Sequence, residues 1–306
     1  MDTQVTTLNT DNFAALAAQM GQDFSSSTSV STANTLVRLR IMHSAIMGTV
    51  NQDGKQRKME VVPGGTFRAD DGTGNYAYAE SVTLRPFKQS FSYRRYIPYA
   101  KPDAQGRKGK FVKTVMTSDY SQFNNNDVMD DSGGFNCGRP SGYIKDWKAL
   151  PDDQKQLIKS VKRVRAIFGE ATFNNAVDAA GEAIDTNGPI PVIWEIDNNN
   201  AFKIMGEVLQ KYSSAKRMFP QHSMEITTTG SPMANGNMLY MPEPTLDLTQ
   251  IIELDEEKDG ATLQMFLTWV ENYNKYVSES HTKNSPNGGF SNAETETIES
   301  FIEVDA

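Results

Sequence analysis

VTLRPFKQSFSYRRYIPYAKPDAQGRKGKFVKTV, residues 82–115, holds nine basic residues: Arg85, Lys88, Arg94, Arg95, Lys101, Arg107, Lys108, Lys110 and Lys113. Against them stands one acid, Asp103, and six rings lie between the charges: Phe87, Phe91, Tyr93, Tyr96, Tyr99 and Phe111. FSYRRYIPY and KFVKTVM read as strands on either side of a basic loop around Gly106 and Gly109. Side chains on a strand alternate between faces. Phe91, Tyr93 and Arg95 therefore share one face, and Arg94, Tyr96 and Pro98 the other. If one face is core, the other presents rings and a cation outward. Nucleic-acid backbones attract cations, and unpaired bases stack on flat apolar rings.

Upstream the signals are also β. LVRLRIM, residues 36–42, alternates apolar and basic residues, with Val37, Leu39 and Ile41 on one face and Arg38 and Arg40 on the other. NQDGK contains the Asp53-Gly54 hairpin signal. KMEVV, GTFRA and YAYAESVTL read as further strands separated by Gly/Pro-rich turns. Many short strands with frequent turns predict a barrel or sandwich.

Downstream, residues 121–143 form a long polar loop, the kind that is functional or disordered. Within it, GGFNCGRPSGY is either a nucleotide-contacting loop, with Arg139 facing phosphate, or a structural crossover. A short helix over 151–160 starts with Pro151, Asp152 and Asp153. VKRVRAIF, residues 161–168, with Arg163 and Arg165 on one face, is a strand or a continuation of that helix. PVIWEI, HSMEITTT, NMLYM and LDLTQIIEL read as strands, and 198–212 as a helix. Leu263, Phe266, Leu267, Val270 and Tyr273 make the stripe of a helix over 262–277.

The termini differ in composition. Residues 1–33 read as a flexible segment with a short amphipathic helix at 11–20 and a Ser/Thr-rich linker. Residues 278–306 read as a disordered acidic tail carrying a small apolar cluster. The domain expected between them is 34–277. The chain has 306 residues and a net charge of -8, but residues 34–118 hold 15 basic and 6 acidic residues while 221–306 hold 3 and 15. An acidic terminus can compete for a cationic surface with any polyanion that surface binds.

Enzymatic chemistry finds little support. There is no P-loop and no dinucleotide-binding glycine motif. His43, His222 and His281 with the lone Cys137 give no zinc spacing. Asp255, Glu257 and Asp259 imitate a calcium loop whose twelfth position is Phe266 rather than glutamate. No cofactor, no metal and no membrane span are expected, and one cysteine fits a reducing, intracellular setting.

The segments FKQSFSYRRYIPY, KGKFVKTV, VKRVRAIF and AETETIESFIEVDA together resemble bacteriophage single-stranded-DNA-binding proteins. RPFKQSFSYRRY, GGFNCGRPSGYIKDW and WEIDNNNAFK are similar to a group of marine-phage proteins given that label. The resemblance implies an α+β, mainly β fold: an OB-like barrel with inserted loops and a C-terminal helix. It implies a non-enzymatic protein that coats single-stranded DNA during replication or recombination in the cytoplasm of an infected bacterium, with possible self-association. Arg38, Arg40, Arg85, Lys88, Arg94, Arg95, Lys108, Lys110, Lys113, Arg163 and Arg165 are the expected phosphate contacts. Phe91, Tyr93, Tyr96 and Tyr99 are the expected stacking rings. Glu299, Phe301, Ile302, Glu303 and Asp305 would dock a polymerase or helicase. Rival readings are a virion or scaffold protein, and a nuclease using Asp127, Asp130 and Asp131.

Overall fold

The first half of the charged stretch becomes the longest strand among the described residues. The computed structural model describes residues 36–52, 55–70, 76–102, 106–186, 188–234 and 236–284. In chain order the strands are β1 (Val37–Ile41), β2 (Ile46–Gln52), β3 (Lys55–Val62), β4 (Phe67–Asp70), β5 (Tyr76–Ala79), β6 (Ser81–Pro98) and β7 (Gly109–Lys113). Then come helices α1 (Tyr120–Asn125) and α2 (Asp152–Ser160), β8 (Val161–Asn174), β9 (Ile190–Ile196), α3 (Asn199–Ser214), β10 (Met224–Pro232), β11 (Met238–Leu246) and α4 (Glu256–Asn284). The N-terminal helix expected at 11–20 lies outside the described residues.

β6 is 18 residues long and organises a nine-stranded mixed sheet. One edge of β6 pairs along nearly its whole length with β8, from Ser81↔Asn174 to Arg95↔Val161. Its other edge is shared: β10 takes Val82 to Leu84, and β7 takes Arg94 to Pro98. The register with β8 shifts between Pro86 and Lys88, so Phe87 is an extra residue in a bulge. The order β11-β10-β6-β8-β9-β1-β4-β5 is antiparallel except at β1–β9, where Val37 meets Val192 in parallel. β2 and β3 form a separate ribbon with Gln52 opposite Lys55, the register expected of a two-residue turn.

Two helices cover opposite faces of the sheet. α3 has its first turn capped by the Asn198 side chain, which accepts from the amides of Asn200 at 2.9 Å and Ala201 at 3.2 Å. Ala201, Phe202, Met205, Val208, Leu209 and Tyr212 recur at three- and four-residue spacing and are buried against Phe67, Leu84, Phe91, Trp194 and Ile226. Truncating one of these large side chains to alanine costs about 2–5 kcal/mol. The α4 stripe, Leu263, Phe266, Val270 and Tyr273, packs the other face over Phe87, Phe168, Ile193 and Met116.

The structure is mixed α+β, dominated by the large sheet. The sheet curls around α3 far enough for its two ends to touch: Thr228 Oγ1 donates to the Gly65 carbonyl at 2.7 Å, and Tyr240 N to His43 Nδ1 at 3.1 Å. Gly65 has φ +88, and a Cβ there would stand 2.5 Å from the Tyr240 ring, so glycine permits this approach. No backbone ladder among the described residues joins the two ends into a closed barrel; α3 fills the space between them.

Several local expectations shift. YAYAESVTL is two strands broken at Glu80, not one. VKRVRAIF is the start of β8, which follows α2 directly. LDLTQIIEL leaves the sheet after Leu246, because the Asp247 carboxylate accepts from Thr249 N at 2.8 Å and Thr249 Oγ1 at 2.6 Å and turns the chain. α4 is longer than expected at both ends. It starts where Asp255 Oδ1 accepts from the amides of Glu257 at 3.1 Å and Lys258 at 2.9 Å, and it runs past Ser278 to Asn284. The acidic tail beyond it lies outside the described residues.

Candidate nucleic-acid interface

The expected cations divide into three groups. The first is used up inside the protein. Arg38, Arg94 and Lys113 lie on the α4 face of the sheet with Glu195, Asp197 and Asp131. Arg94 Nη2 bonds Asp197 Oδ2 at 2.6 Å. Burial pushes the Arg38 guanidinium down, opposed by Glu195. Lys113 is buried, with its ammonium 5.5 Å from the Tyr273 ring centre and 4.8 Å from that of Tyr276. Burial lowers its pKa to about 8, against the pull of Asp131 and Glu195. Arg85 forks onto Asp259 at 2.7 and 2.8 Å and donates to the Pro220 carbonyl at 2.7 Å. The calcium-loop mimic thus supplies a helix N-terminus and an ion-pair partner. Arg40 sits opposite Arg68 on β4, and Lys88 is half-buried at the bulge, where desolvation lowers its pKa. Arg38, Arg85, Arg94 and Lys113 are corrected from phosphate contacts to structural groups, because carboxylates or α4 already occupy them.

Two stacking rings are corrected as well. Phe91 is 2% exposed and Tyr93 1%, since Phe91 packs against Phe202 of α3 and both rings pack against Phe123 of α1. Tyr93 stacks on Phe123 at 4.3 Å and its hydroxyl donates to the Phe123 carbonyl at 3.1 Å. No base can reach either ring.

The second group is open. The β6–β7 hairpin projects beyond the covered part of the sheet. On it Tyr96 is 43% exposed beside Phe111, with centroids 5.0 Å apart. Lys108 and Lys110 are exposed, and Tyr99 is tied into the hairpin by its backbone N–H, which donates to the Lys108 carbonyl at 2.8 Å. Gly109 permits the pairing: a Cβ there would lie 2.5 Å from the Ile97 carbonyl oxygen.

The crossover between β7 and β8 flanks this hairpin and carries rings that the strand-based reading missed. Phe135 is 53% exposed and Tyr143 88%, with Trp147 and Tyr120 also exposed. The ammonium of Lys159 stands 6.0 Å from the Trp147 ring centre. These rings have no periodic apolar neighbours; they sit among Gly, Asp and Ser, and that context was the available signal. Val115 N donates to the Met129 carbonyl at 3.0 Å and Asp131 N to the Lys113 carbonyl at 3.1 Å, which seats the crossover along the outer edge of β7.

Asp130 is the hydrogen-bonding hub of the crossover. Buried, it accepts from Ser132 N at 3.0 Å, Ser132 Oγ at 2.6 Å, Gly134 N at 3.1 Å and Cys137 N at 3.0 Å. Asp127 accepts from Asn136 at 3.0 Å and Asp131 from Lys113 N at 3.2 Å. Among the described residues no group of three or more acidic, His or Cys side chains could hold a metal ion. Asn136 and Cys137 lie in the left-handed region, with φ 53 and φ 54. The Cys137 thiol is buried and bonded to the Val112 carbonyl at 3.4 Å, and burial pushes its pKa up.

The third group is Arg95, Arg163 and Arg165, on the α3 face. Arg95 lies against Gly138, where a Cβ would be 3.3 Å from Nη1. Arg163 and Arg165 both stand over the Phe202 ring. The expected partner-docking residues Glu299, Phe301, Ile302, Glu303 and Asp305 lie outside the described residues. No helix among the described residues is long and apolar enough to cross a membrane. No known protein family, curated protein or solved structure matches the chain.

Proposed function

We propose that the protein binds single-stranded DNA without sequence preference, as a non-enzymatic coat of template strands during phage replication or recombination. The observation that carries this reading is the β6–β7 hairpin. It holds an exposed ring, Tyr96, next to Lys108 and Lys110, which meet no carboxylate at ion-pair distance among the described residues. The crossover beside it adds Phe135, Tyr143 and Trp147. Rings for bases and lysines for phosphates are what a sequence-tolerant single-strand site requires, and each stacked base is worth about 1–3 kcal/mol. The curled sheet stands in for the OB-like barrel of the resemblance, with the site on a projecting hairpin. The acidic tail competes with DNA for the lysines and is the segment offered to replication partners.

Fluorescence anisotropy with a labelled thymidine oligonucleotide tests the reading, at low and high salt, on the full chain and on a chain ending at Asn284. Salt-sensitive binding that tightens without the tail supports it. Absence of binding by both chains at low salt overturns it. A virion or scaffold role then takes precedence. Its supporting observation is the exposed Met47 and Met59 on the β2–β3 ribbon, beside which no strand pairs in the described residues.

A further inference from the structure

Among the described residues Arg165 is a buried cation without a counter-ion. It is 7% exposed, and its guanidinium carbon lies 4.4 Å from the Phe202 ring centre and 5.0 Å from that of Phe91. Nη1 donates to the Gln89 side-chain oxygen, while Nε is buried with no hydrogen-bond partner. A second guanidinium, that of Arg163, stands 5.6 Å from the same Phe202 ring. A third comes from the crossover: Arg139 Nη1 donates to the Tyr93 hydroxyl at 2.9 Å, and its guanidinium lies 5.5 Å over the Tyr93 ring. Among the described residues none of the three meets a carboxylate. On the opposite face of the same sheet Arg38, Arg94 and Lys113 lie among Glu195, Asp197 and Asp131. A buried charge left unpaired is strongly destabilising, so buried Arg165, with the half-buried Arg139 and Arg163 on the same aromatic floor, calls for an anion from outside the described residues. α3 is shaped around the site: a Cβ on Gly206 would fall 2.6 Å from Arg165 Nη2, so any larger residue there would push the guanidinium away.

We infer that Arg139, Arg163 and Arg165 form a seat for one phosphate group of a nucleotide, between β8, α3 and the crossover. Planar guanidinium forks grip phosphate oxygens in pairs, and arginine stacks readily on rings. Tyr120, whose ring centre is 5.0 Å from that of Phe91, is exposed at the rim and supplies a wall for the sugar or base. The inference deepens the single-strand reading by assigning an anchored phosphate to a place away from the hairpin lysines.

Thermal unfolding of the full chain tests it, with thymidine 5′-monophosphate, inorganic phosphate, thymidine, or sodium chloride at matched ionic strength. The monophosphate raises Tm saturably and most strongly, inorganic phosphate raises it less, and thymidine leaves it unchanged. Arg165→Met stays folded, with a ligand-free Tm equal to or above that of the parent, because it removes an uncompensated charge; its phosphate-dependent rise disappears. Arg163→Gln, at a half-exposed position, weakens the monophosphate by at least about tenfold, as expected for a lost hydrogen bond to a charged group. No saturable rise in the parent overturns the inference. So does an equal rise in Arg165→Met and Arg163→Gln, which reports only general salt stabilisation. The two readings fail separately. Monophosphate binding without oligonucleotide binding keeps the seat and ends the single-strand reading. Oligonucleotide binding of unchanged strength in both arginine variants keeps that reading and ends the seat.

Discussion

At the scale of single residues, neighbours on β6 have opposite fates. Tyr93→Phe removes a hydroxyl that both donates to Phe123 and accepts from Arg139, and lowers stability by about 1–2 kcal/mol in urea unfolding. Tyr96→Ala changes stability by less than about 0.5 kcal/mol, yet weakens oligonucleotide binding by about 1–3 kcal/mol in anisotropy titrations. Alternation along FSYRRYIPY was legible in the sequence, but its inward face was not. Both faces carry a ring and a cation, and the choice is made by α3 and α4, whose sequences lie far downstream. For the same reason the unpaired arginines looked no different from the paired ones: Arg94 and Arg163 read alike until Asp197 is placed beside one and Phe202 beside the other. Lys113 gives a pH test. Its folded pKa of about 8 lies below the ordinary 10.5, so between these values the unfolded chain binds more protons and stability rises with pH. Lys113→Met abolishes that rise, and the difference between the two unfolding free energies, measured from pH 7.5 to 10.5, isolates it from the tyrosines and Cys137.

At the scale of elements, α4 shows how a helix outside the main core is fixed to the sheet. Asn274 accepts from Met116 N at 2.6 Å and donates to the Met116 carbonyl at 2.9 Å, while Tyr273 donates to the Thr114 carbonyl at 3.0 Å. Asn274→Ala leaves both Met116 groups without their partner; hydrogen exchange at Met116 then accelerates, and stability falls by about 2 kcal/mol. At the other end Asp259→Ala removes the two-point fork and leaves Arg85 with Glu170, 3.8 Å away, as its carboxylate, at a cost of about 1.5–3 kcal/mol. The apolar stripe of α4 was plain in the sequence; its early start was hidden because the Asp255 cap and the Glu256, Glu257 and Asp259 cluster look like a metal loop when the partner Arg85 is out of view. The crossover resisted reading because it is built from side-chain to backbone bonds around Asp130, which leave no periodic trace.

At the scale of the whole molecule, charge is sorted by face rather than mixed. The α4 face sets its cations among carboxylates, while Lys108 and Lys110 on the hairpin and Arg139, Arg163 and Arg165 on the α3 face meet none among the described residues. Residues 285–306 add five carboxylates and no base. Removing them tightens oligonucleotide binding at about 50 mM salt, and the gain shrinks as the screening length falls from about 10 Å at 0.1 M toward about 3 Å at 1 M. Each neutralised phosphate contributes about 0.7 to the slope of log affinity against log salt, so the Lys108→Gln, Lys110→Gln double variant lowers that slope by at most about 1.4.

The single parallel contact, β1 against β9, also sets a timetable. β1 can pair with β4 as soon as both leave the ribosome, but Val37 and Arg38 must wait for Val192 and Ile193 before the two halves of the sheet become one. At roughly 5–20 residues per second, the β1-β4-β5 piece spends on the order of ten seconds with an unpaired edge. Over that interval the β1-β4-β5 piece is a three-stranded fragment with one side open to other strands.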